Sequence, residues 1–465
     1  MTDAVAEAPA PLEPLFPQLR ARKNVPREQV AANQRMRLQG AMVEAVARHG
    51  YAATTVHELT ALAGVTKKTL YRHFEDKQDC FLATYDLVVR DGVQRISAAY
   101  RSAEAAGGGA ASGGQRDWQA GLCRAFDAFA RELALRPKCS RLALVEVLAA
   151  GPAALSRIER GEAIFVAMIG QGLAQAPDGP ELPPVMLKAI VGGIWFLARS
   201  RLLGGSPEQA LDAGGQLLEW MLAYRCPAIE ALAGLPAPPP GEPSARAQSR
   251  PADTHDDAPA RTRIAHAAAR LAAEGGYGAL TSGQITELAG TSSAEFAAEF
   301  NSTGECFLAA IELLSAQALA RALRAGAGAP DWPAAVCRAV RGLLCEVAED
   351  PVFARVAFVE VFAAGPAGEQ RRTELMCAFS TVLARHAPSA RRPSPLVAEA
   401  IAGAVWSLAH RHVVHGRARA LPAIAPYACY LTLAPIVGAE AAVEAILAEW
   451  DGDSADGEQR ELLAT

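Results

Sequence analysis

The feature that most constrains the fold of this 465-residue chain is an internal repeat. At an offset of 226 residues, Gly50 and Tyr51 align with Gly276 and Tyr277. At an offset of 214 residues, the segment Val-Glu-Val-Leu-Ala-Ala-Gly-Pro-Ala at 145–153 aligns with 359–367, with eight of nine positions identical. The chain is therefore predicted to contain two copies of one unit of roughly 200 residues, which is within the usual range for a domain.

In the first copy, residues 54–74 predict two short helices joined by a tight turn. Val56, Leu59 and Leu62 recur at helical spacing and are expected to form an apolar face. Gly64 stands where a helix commonly ends in a left-handed residue. Hydroxyl side chains suited to cap a helix start precede both helices, namely Thr54 or Thr55 for the first and Thr66 for the second. The pattern predicts a helix-turn-helix.

The second of these helices is predicted to expose cations, hydroxyl groups and an aromatic ring. Leu70 and Phe74, four residues apart, are expected to face the core instead. A DNA-binding helix-turn-helix needs this division, because its second helix must reach base edges and phosphates in the major groove. The residues expected to be exposed are Lys67, Lys68, Thr69, Tyr71, Arg72 and His73.

The segment Ala-Gly-Val-Thr-Lys-Lys-Thr-Leu-Tyr-Arg-His-Phe at 63–74, followed by Lys77, closely resembles the tetracycline-repressor (TetR) family of bacterial transcription regulators. The resemblance implies an all-α fold over nearly the whole chain. Each unit would hold an N-terminal helix-turn-helix domain of three helices and a C-terminal helical domain for ligand binding and dimerisation. On this basis Lys67, Lys68, Thr69 and Tyr71 are expected to face the groove, and Thr55, Thr66, His73 and Lys77 to contact phosphates.

We call the second helix of the helix-turn-helix the reader, because it is the helix expected to contact DNA. The second copy keeps the pattern of the reader but reverses its charge. Residues 66–77 carry four cations and two carboxylates, a formal charge of +2, whereas 292–303 carry two carboxylates and no cation, a formal charge of −2. Lys67 and Lys68 correspond to Ser293 and Ala294, and His73 corresponds to Glu299. Because phosphate contact dominates affinity for DNA, we expect the second reader to be degenerate. The alternative is that both copies bind DNA through other residues.

Composition and the repeat together divide the chain. We expect a disordered leader with a basic arm at 1–26, a helix-turn-helix domain at 27–85, a helical ligand-binding and dimerisation domain at 86–232, a Pro- and Ala-rich linker at 233–258, a degenerate helix-turn-helix domain at 259–311, a second helical domain of the ligand-binding and dimerisation type at 312–450, and a disordered tail at 451–465. The arm carries Arg20, Arg22, Lys23, Arg27, Arg35 and Arg37, and either lies along DNA or is a solvated leader.

Helical patterning continues through both C-terminal domains. Helices are predicted at 28–49, 77–105, 117–135, 138–150, 152–175, 184–203 and 207–225, with 396–415 and 420–434 as the last pair of the second copy. Aromatic and apolar residues, with one carboxylate, form a candidate ligand pocket in the first copy, namely Trp118, Phe126, Phe129, Glu146, Met168 and Trp195. The alternatives are an ordinary core for the apolar residues and an exposed or capped helix carboxylate for Glu146.

Signals for catalysis, cofactors and metals are weak. The chain lacks a phosphate-binding Gly-Lys-Ser/Thr loop and a nucleophile elbow, so we expect no enzymatic activity and no cofactor. His412 and His415 share a helix face, but the corresponding region of the first copy is basic, so a polar helix end is expected rather than a metal site. The nine cysteines lack metal-ligand spacing, and Cys80 and Cys123, which recur as Cys306 and Cys337, are expected to be small buried hydrophobic residues rather than disulfides. The uncharged run between Arg419 and Glu440 contains three prolines, so we expect a buried interface helix, not a membrane span.

These features predict a cytoplasmic, sequence-specific regulator of transcription, a repressor that a small apolar effector releases from double-stranded DNA. The alternative is a ligand-sensing or protein-interaction module with weak DNA affinity. Matched apolar faces on the final helices predict an intramolecular pseudo-dimer, with a homodimer as the alternative. The faces comprise Ile190, Ile194, Trp195 and Leu197 in the first copy and Ile401, Val405, Trp406 and Leu408 in the second.

Overall fold

A computed structural model describes residues 26–106, 118–175, 182–206, 213–224, 227–235 and 258–450. All regular secondary structure within these ranges is helical, which confirms the predicted all-α fold. The leader up to residue 25, most of the predicted linker and the tail after residue 450 lie outside the described residues, so the expectations for them remain predictions.

The first copy contains nine α-helices among its described residues. They are α1 (Arg27–Ala53), α2 (Val56–Ala63), α3 (Lys67–His73), α4 (Lys77–Ala106), α5 (Trp118–Leu135), α6 (Pro137–Leu144), α7 (Pro152–Ala174), α8 (Pro184–Leu203) and α9 (Gly214–Leu222). A 3₁₀ turn, Glu146–Ala150, joins α6 to α7, and a second one covers Pro227–Gly234.

The second copy repeats this order. Its helices are α10 (Ala260–Gly275), α11 (Ser282–Ala289), α12 (Ser293–Glu299), α13 (Thr303–Gly326), α14 (Trp332–Glu349), α15 (Gly365–His386), α16 (Pro395–Val414) and α17 (Ala425–Val437). An irregular helical stretch connects α14 to α15 through Pro351–Arg355, a π-helical turn at Val356–Glu360 and a last turn at Val361–Ala363. A final helix spans 439–450.

Three details of the sequence prediction were wrong. The helix predicted at 138–150 is broken at Val145, after which the chain forms the 3₁₀ turn. The helix predicted at 420–434 starts late, because residues Ala418–Ile424 form a 3₁₀ helix around Pro422. Leu62, expected on the apolar face of α2, is 39% exposed, and its equivalent Leu288 is 41% exposed, so neither side chain lies in the core.

The two copies pack against each other along α8 and α16, and glycines permit the close approach. A Cβ atom placed on Gly192 would lie 2.0 Å from the hydroxyl oxygen of Ser407. A Cβ atom placed on Gly403 would lie 2.5 Å from Cβ of Phe196. Gly192 and Gly403 are equivalent at an offset of 211 residues, and so are Phe196 and Ser407. The contact is therefore reciprocal, as in a two-fold symmetric interface.

Tyrosines near the ends of both copies extend this contact. The Tyr224 hydroxyl donates a hydrogen bond of 3.0 Å to the carbonyl of Leu431, and the Tyr430 hydroxyl donates one of 2.9 Å to the carbonyl of Tyr224. Both tyrosines are fully buried. The uncharged run between Arg419 and Glu440 therefore lies mostly inside the protein, where α17 packs against α14 and α16.

Two stretches of the described chain are long and apolar enough to cross a membrane by length and composition alone. They are Thr303–Gly326, with a mean hydropathy of 1.5, and Ala418–Val437, with a mean hydropathy of 1.6. Within these windows, 39% and 61% of the residues respectively are buried inside the protein. Core helices of other proteins meet the same criterion, so this observation is weak evidence for a membrane span.

Candidate nucleic-acid interface and ligand cavity

The turn between α2 and α3 is fixed by two threonine caps and a glycine. The Thr55 hydroxyl accepts a hydrogen bond of 3.2 Å from the backbone N–H of Glu58, and the Thr66 hydroxyl accepts one of 3.2 Å from that of Thr69. Gly64 adopts φ 59° and ψ 42°, the left-handed conformation that glycine tolerates without cost. The predicted helix-turn-helix and its caps are confirmed, with Thr55 rather than Thr54 starting α2.

The residues of α3 divide between solvent and core as the sequence indicates. Leu70 is fully buried and Phe74 is 2% exposed, whereas Tyr71 is 55% exposed. Lys67 and Lys68 are also exposed, at the N-terminus of the helix. Thr69 is half-buried, and its hydroxyl lies 3.0 Å from that of Thr66. The first turn of α3 therefore presents two cations and two hydroxyl groups to solvent, where helix N-termini favour anions.

Two arginines on α1 hold the reader in place. The Arg35 guanidinium donates a hydrogen bond of 3.0 Å to the carbonyl of His73 and lies 4.5 Å from the ring centroid of Phe74. The Arg37 guanidinium donates one of 3.2 Å to the carbonyl of Gly64. The sequence placed both arginines in a basic arm, either along DNA or solvated, and gave no sign that they hold the helix-turn-helix. Within that arm, Arg27 is exposed at the start of α1, and Arg20, Arg22 and Lys23 lie outside the described residues.

Lys77, expected on a phosphate, is engaged inside the domain. Its ammonium group donates hydrogen bonds to the carbonyls of Tyr51 at 3.1 Å, Ala52 at 3.4 Å and Thr54 at 3.0 Å. It also lies 4.5 Å from the ring centroid of Tyr51. Burial lowers the pKa of the Lys77 ammonium. These contacts satisfy the carbonyls at the end of α1, so the geometry gives Lys77 a structural role.

His73 is also less free than expected. Its side chain is half-buried, and Nε2 lies 3.2 Å from the amide oxygen of Gln34 on α1. Burial, with Arg35 and Arg72 nearby, lowers the pKa of His73. The expectation that this ring faces solvent was wrong, because the ring bridges α3 to α1. These neighbours favour the neutral imidazole, which has no positive charge to attract a phosphate.

The second helix-turn-helix has the same frame without the cations. Thr281 caps α11, Gly290 has φ 62°, and Arg261 donates a hydrogen bond of 2.8 Å to the carbonyl of Glu299, as Arg35 does to His73. Glu295 and Ser292 form a reciprocal capping box at the start of α12. Hydrogen bonds from Ser292 lower the pKa of Glu295, so the exposed first turn of α12 carries a negative charge.

A buried carboxylate connects each helix-turn-helix to the helices that follow. Glu146 is 3% exposed, and its Oε2 accepts a hydrogen bond of 2.9 Å from the backbone N–H of Tyr51, while Arg141 pairs with its Oε1 at 3.2 Å. In the second copy Glu360 accepts a hydrogen bond of 2.9 Å from the backbone N–H of Tyr277. Glu146 is therefore neither an exposed carboxylate nor a ligand contact in the predicted pocket. Its hydrogen bond links the 3₁₀ turn to the end of α1.

The predicted pocket residues of the first copy surround very little space. Phe126, Phe129, Met168 and Trp195 line one cavity of about 20 Å³, and Trp118 and Glu146 lie elsewhere. A single water molecule needs about 10–15 Å³ of such space, so this cavity could hold about one water and has no room for a larger ligand as it stands. Phe165 also lines the cavity, with its ring centroid 6.1 Å from that of Phe129 and 6.2 Å from that of Trp195.

The second copy contains a larger cavity at the matching position. A partly open cavity of about 300 Å³ lies between α13, α14, α15 and α16, with walls that are almost entirely apolar. Arg372 lines this cavity and is 2% exposed, and Trp406, the equivalent of Trp195, forms another part of the wall. The volume lies at the lower end of the range for small-molecule sites. Among the described residues there is no group of three or more His, Cys, Asp or Glu that could hold a metal ion.

Comparison with protein families matches residues 41–84 to the model described as "Bacterial regulatory proteins, tetR family". The match covers most of the second half of α1, the helix-turn-helix and the start of α4. The first copy therefore carries a DNA-binding domain like that of these regulators. No curated protein gives a significant match to the sequence.

Solved structures similar to this chain include several transcription regulators. They include FadR from Bacillus subtilis in complex with stearoyl-CoA (15% identity, 40% of this chain and 96% of that chain, TM-score 0.35) and the fatty acid degradation regulator FadR from Bacillus halodurans (17% identity, 40% and 94%, TM-score 0.35). A TetR family transcription regulator from Marinobacter aquaeolei VT8 is 24% identical over 41% of this chain and 97% of that chain, with a TM-score of 0.32.

Proposed function

We propose that this protein is a cytoplasmic, sequence-specific regulator of transcription that contacts double-stranded DNA through α3 of the first copy only. The observation that carries the proposal is the opposite charge of two helices held in the same frame. Lys67 and Lys68 are exposed at the start of α3, whereas Glu295 stands in the first turn of α12. An acidic helix would be repelled by the phosphates that attract the basic one.

Within α3, we assign base contact to the exposed side chains Lys67, Lys68 and Tyr71 and to the half-buried Thr69. Thr55 and Thr66 stand at the N-termini of α2 and α3, where backbone N–H groups favour a phosphate. Lys77 and His73 act through the domain instead, because their polar atoms already contact α1 and the residues after it. The domain boundaries follow the repeat, with each helix-turn-helix joined to its own helical bundle.

We further propose that the protein is a repressor and that a small, largely apolar molecule controls it. The proposal rests on the helical bundle that follows the reader and on the buried link from Glu146 to Tyr51, which joins the bundle to α1. A ligand that shifts the bundle would shift the end of α1 and with it the position of α3. Pairing of the two bundles within one chain would leave one working reader per molecule.

Affinity selection of random duplex DNA with the full chain, followed by titration of the selected duplex at several salt concentrations, tests the assignment. Lys67→Ala combined with Lys68→Ala should weaken binding and flatten its salt dependence, by a slope of about one for each phosphate that the variant no longer neutralises. Glu295→Ala combined with Glu299→Ala is the matched control and should not weaken binding. Equal weakening by the two double variants would overturn the assignment to the first copy.

A further inference from the structure

An ion pair beside the cavity of the second copy has polar atoms without hydrogen-bond partners in the described part of the chain. Nε and Nη2 of Arg372 both donate to Oε2 of Glu369, at 3.1 Å and 2.9 Å. Among the described residues, Nη1 of Arg372 and Oε1 of Glu369 have no hydrogen-bond partner, although both side chains are at least 96% buried. Buried polar atoms are nearly always satisfied, and each exception needs an explanation.

The guanidinium of Arg372 is held rigidly at the cavity wall. It lies 4.7 Å from the ring centroid of Trp406, 5.3 Å from that of Phe196 and 5.9 Å from that of Phe362. Phe196 belongs to the first copy, so the arginine sits at the contact between the two bundles. Three aromatic rings and one carboxylate oxygen fix the orientation of the group before any ligand arrives.

This ion pair is absent from the first copy. The exposed ion pair between Arg371 and Glu312, at 3.1 Å, has an equivalent in the first copy. That equivalent is the pair between Arg157 and Asp86, at 3.0 Å. The two matching pairs align α15 with α7. In that alignment Arg372 corresponds to Ile158 and Glu369 corresponds to Leu155. The second copy therefore has a buried polar pair beside a cavity of about 300 Å³, and the first copy has neither.

The charges around this position leave a net positive centre. Glu369 pairs with Arg372, and Glu162 pairs with Arg411. Arg199 is 7% exposed, and its guanidinium donates a hydrogen bond of 2.6 Å to the carbonyl of Leu144. Burial and the charge of Arg372 lower the pKa of Arg199 to about 10, so it remains protonated near neutral pH. Arg199 does not line the cavity, but it is close enough to interact with Arg372, so these five groups carry one more positive than negative charge and together favour an anion.

We propose that the cavity of the second copy binds a small apolar carboxylic acid, whose carboxylate accepts a hydrogen bond from Nη1 of Arg372 and whose body lies between α13 and α15. A volume of about 300 Å³ is at the lower end of the range for small-molecule sites, so a chain of about ten carbon atoms is a suitable probe. Glu312 lines the cavity and is exposed, so the cavity reaches the surface beside its pair with Arg371.

The same helix that carries Arg372 touches the reader domain of the first copy. A Cβ atom placed on Gly50, in α1, would lie 3.5 Å from the Pro366 ring at the start of α15 and 3.0 Å from Oε2 of Glu146. Leu375, Met376 and Phe379 of α15 line the cavity. A ligand that moves α15 therefore presses on the end of α1, so the second copy senses the acid and the first copy responds. This regulatory step rests on the proposed function, whereas ligand binding does not.

Calorimetric titration of the full chain with decanoate, decanamide and decan-1-ol tests the ligand class. Decanoate should bind at least about tenfold more tightly than the amide and the alcohol, because a hydrogen bond to a charged group is worth more than one to a neutral group. Arg372→Ile combined with Glu369→Leu installs the residues of the first copy, removes both charges together and should abolish this preference. Circular dichroism of the variant verifies that it folds, and Ser315→Phe, which fills the cavity from one wall, should weaken decanoate binding in a chain that keeps the ion pair.

Absence of decanoate binding, equal or tighter binding of the amide, or an unchanged preference in the double variant would overturn the proposed ligand class. Titration of the selected duplex with and without decanoate tests the regulatory step separately. Decanoate should change DNA affinity at least about fivefold in the native chain and leave the double variant unaffected. A chain that binds decanoate but no duplex contradicts the proposed function, and one that binds both independently contradicts only the coupling.

Discussion

The carboxylate of Glu146 accepts a hydrogen bond from the backbone N–H of Tyr51, 95 residues earlier in the chain. The acceptor belongs to the 3₁₀ turn that opens the bundle, and the donor follows Gly50, where α1 is interrupted with φ 81°. Glu360 and Tyr277 repeat the bond in the second copy. The link is therefore a property of the repeated unit, and it joins each helix-turn-helix domain to the helical bundle that follows it.

Replacement of Glu146 or of Glu360 should lower the free energy of unfolding, but only replacement of Glu146 should weaken DNA binding. Glu146→Ala leaves the Tyr51 N–H without a partner, so we expect a decrease of about 1–3 kcal/mol in the free energy of unfolding. Glu360→Ala should cost a similar amount by the same mechanism. Urea denaturation measures the decrease, and duplex titration should show weaker binding for Glu146→Ala alone. An effect of Glu360→Ala on DNA affinity as large as that of Glu146→Ala would contradict a reader confined to the first copy.

Lys77 should behave as a structural cation. Its three hydrogen bonds to carbonyls and its contact with the Tyr51 ring stabilise the turn after α1. Lys77→Met keeps the length of the side chain and removes the charge, so we expect a decrease of about 1–3 kcal/mol in stability. The salt dependence of DNA binding should change less than in Lys67→Met, the exposed control. A larger change of the salt slope in Lys77→Met would restore this lysine to the phosphate contacts.

Tyr71 and Phe74 lie on and directly after the same short helix and should separate binding from folding. Tyr71 is 55% exposed, so Tyr71→Ala should leave the melting temperature nearly unchanged and weaken DNA binding. Phe74 is 2% exposed, and Phe74→Ala should cost about 3–5 kcal/mol of stability, as large-to-small changes in a core do. Thermal unfolding and duplex titration distinguish the two effects. Unfolding of the domain by Tyr71→Ala would show that the face assignment of α3 is wrong.

The stability of the second copy should fall as the pH is lowered below about 6.5, where His410 binds a proton in the unfolded chain but not in the folded chain. His410 stacks on Trp406, with ring centroids 4.6 Å apart, and its Nδ1 lies 2.8 Å from the carbonyl of Phe358. Burial, which outweighs that hydrogen bond, and the neighbouring arginines lower its pKa to about 3. Well above a pH of about 6.5 the imidazole is neutral in both states, and below that pH only the unfolded chain binds the proton.

Between about pH 7 and pH 5 the native chain should therefore lose about 1–2 kcal/mol more unfolding free energy than the variant His410→Gln, which has no imidazole at this position. Urea denaturation at both pH values measures the difference. An equal decrease in the two proteins would show that His410 is protonated in the folded chain near the lower pH.

Local rules sufficed for the helices and the turn of the reader, because these features depend on nearby residues. The spacing of Leu70 and Phe74, the caps and Gly64 act within one or two helical turns, and all were predicted correctly. The charge reversal between α3 and α12 could be read directly by aligning the copies. The repeat also predicted that both copies share one helix order, and the described residues have that order.

Contacts between distant segments could not be predicted in the same way. The side chains of Lys77 and Arg35 resemble phosphate ligands in sequence, and only the folded position of α1 shows the carbonyls to which they donate. The pocket was assigned to the first copy because its aromatic residues have suitable spacing, yet those rings fill the space themselves. Arg372 carried no signal, because the pairing of α15 with its neighbours decides whether an arginine is exposed or buried.

The pairing of α8 with α16 gives the last prediction, which concerns assembly. Gly192 lies against Ser407, and its equivalent Gly403 lies against Phe196, so a side chain larger than hydrogen at either glycine would separate the helices. We expect light scattering of the free protein to give the mass of one chain, as an intramolecular pseudo-dimer requires. Gly192→Leu and Gly403→Leu should each destabilise that single-chain form by about 1–3 kcal/mol or more, because overpacking strains a close contact. Gly215→Leu, at a glycine with open space beside it, is the control and should cost less. A stable species of two native chains that dissociates when Ile194 and Trp195 are made polar would show instead that the bundles pair between chains, and each assembly would then carry two basic readers.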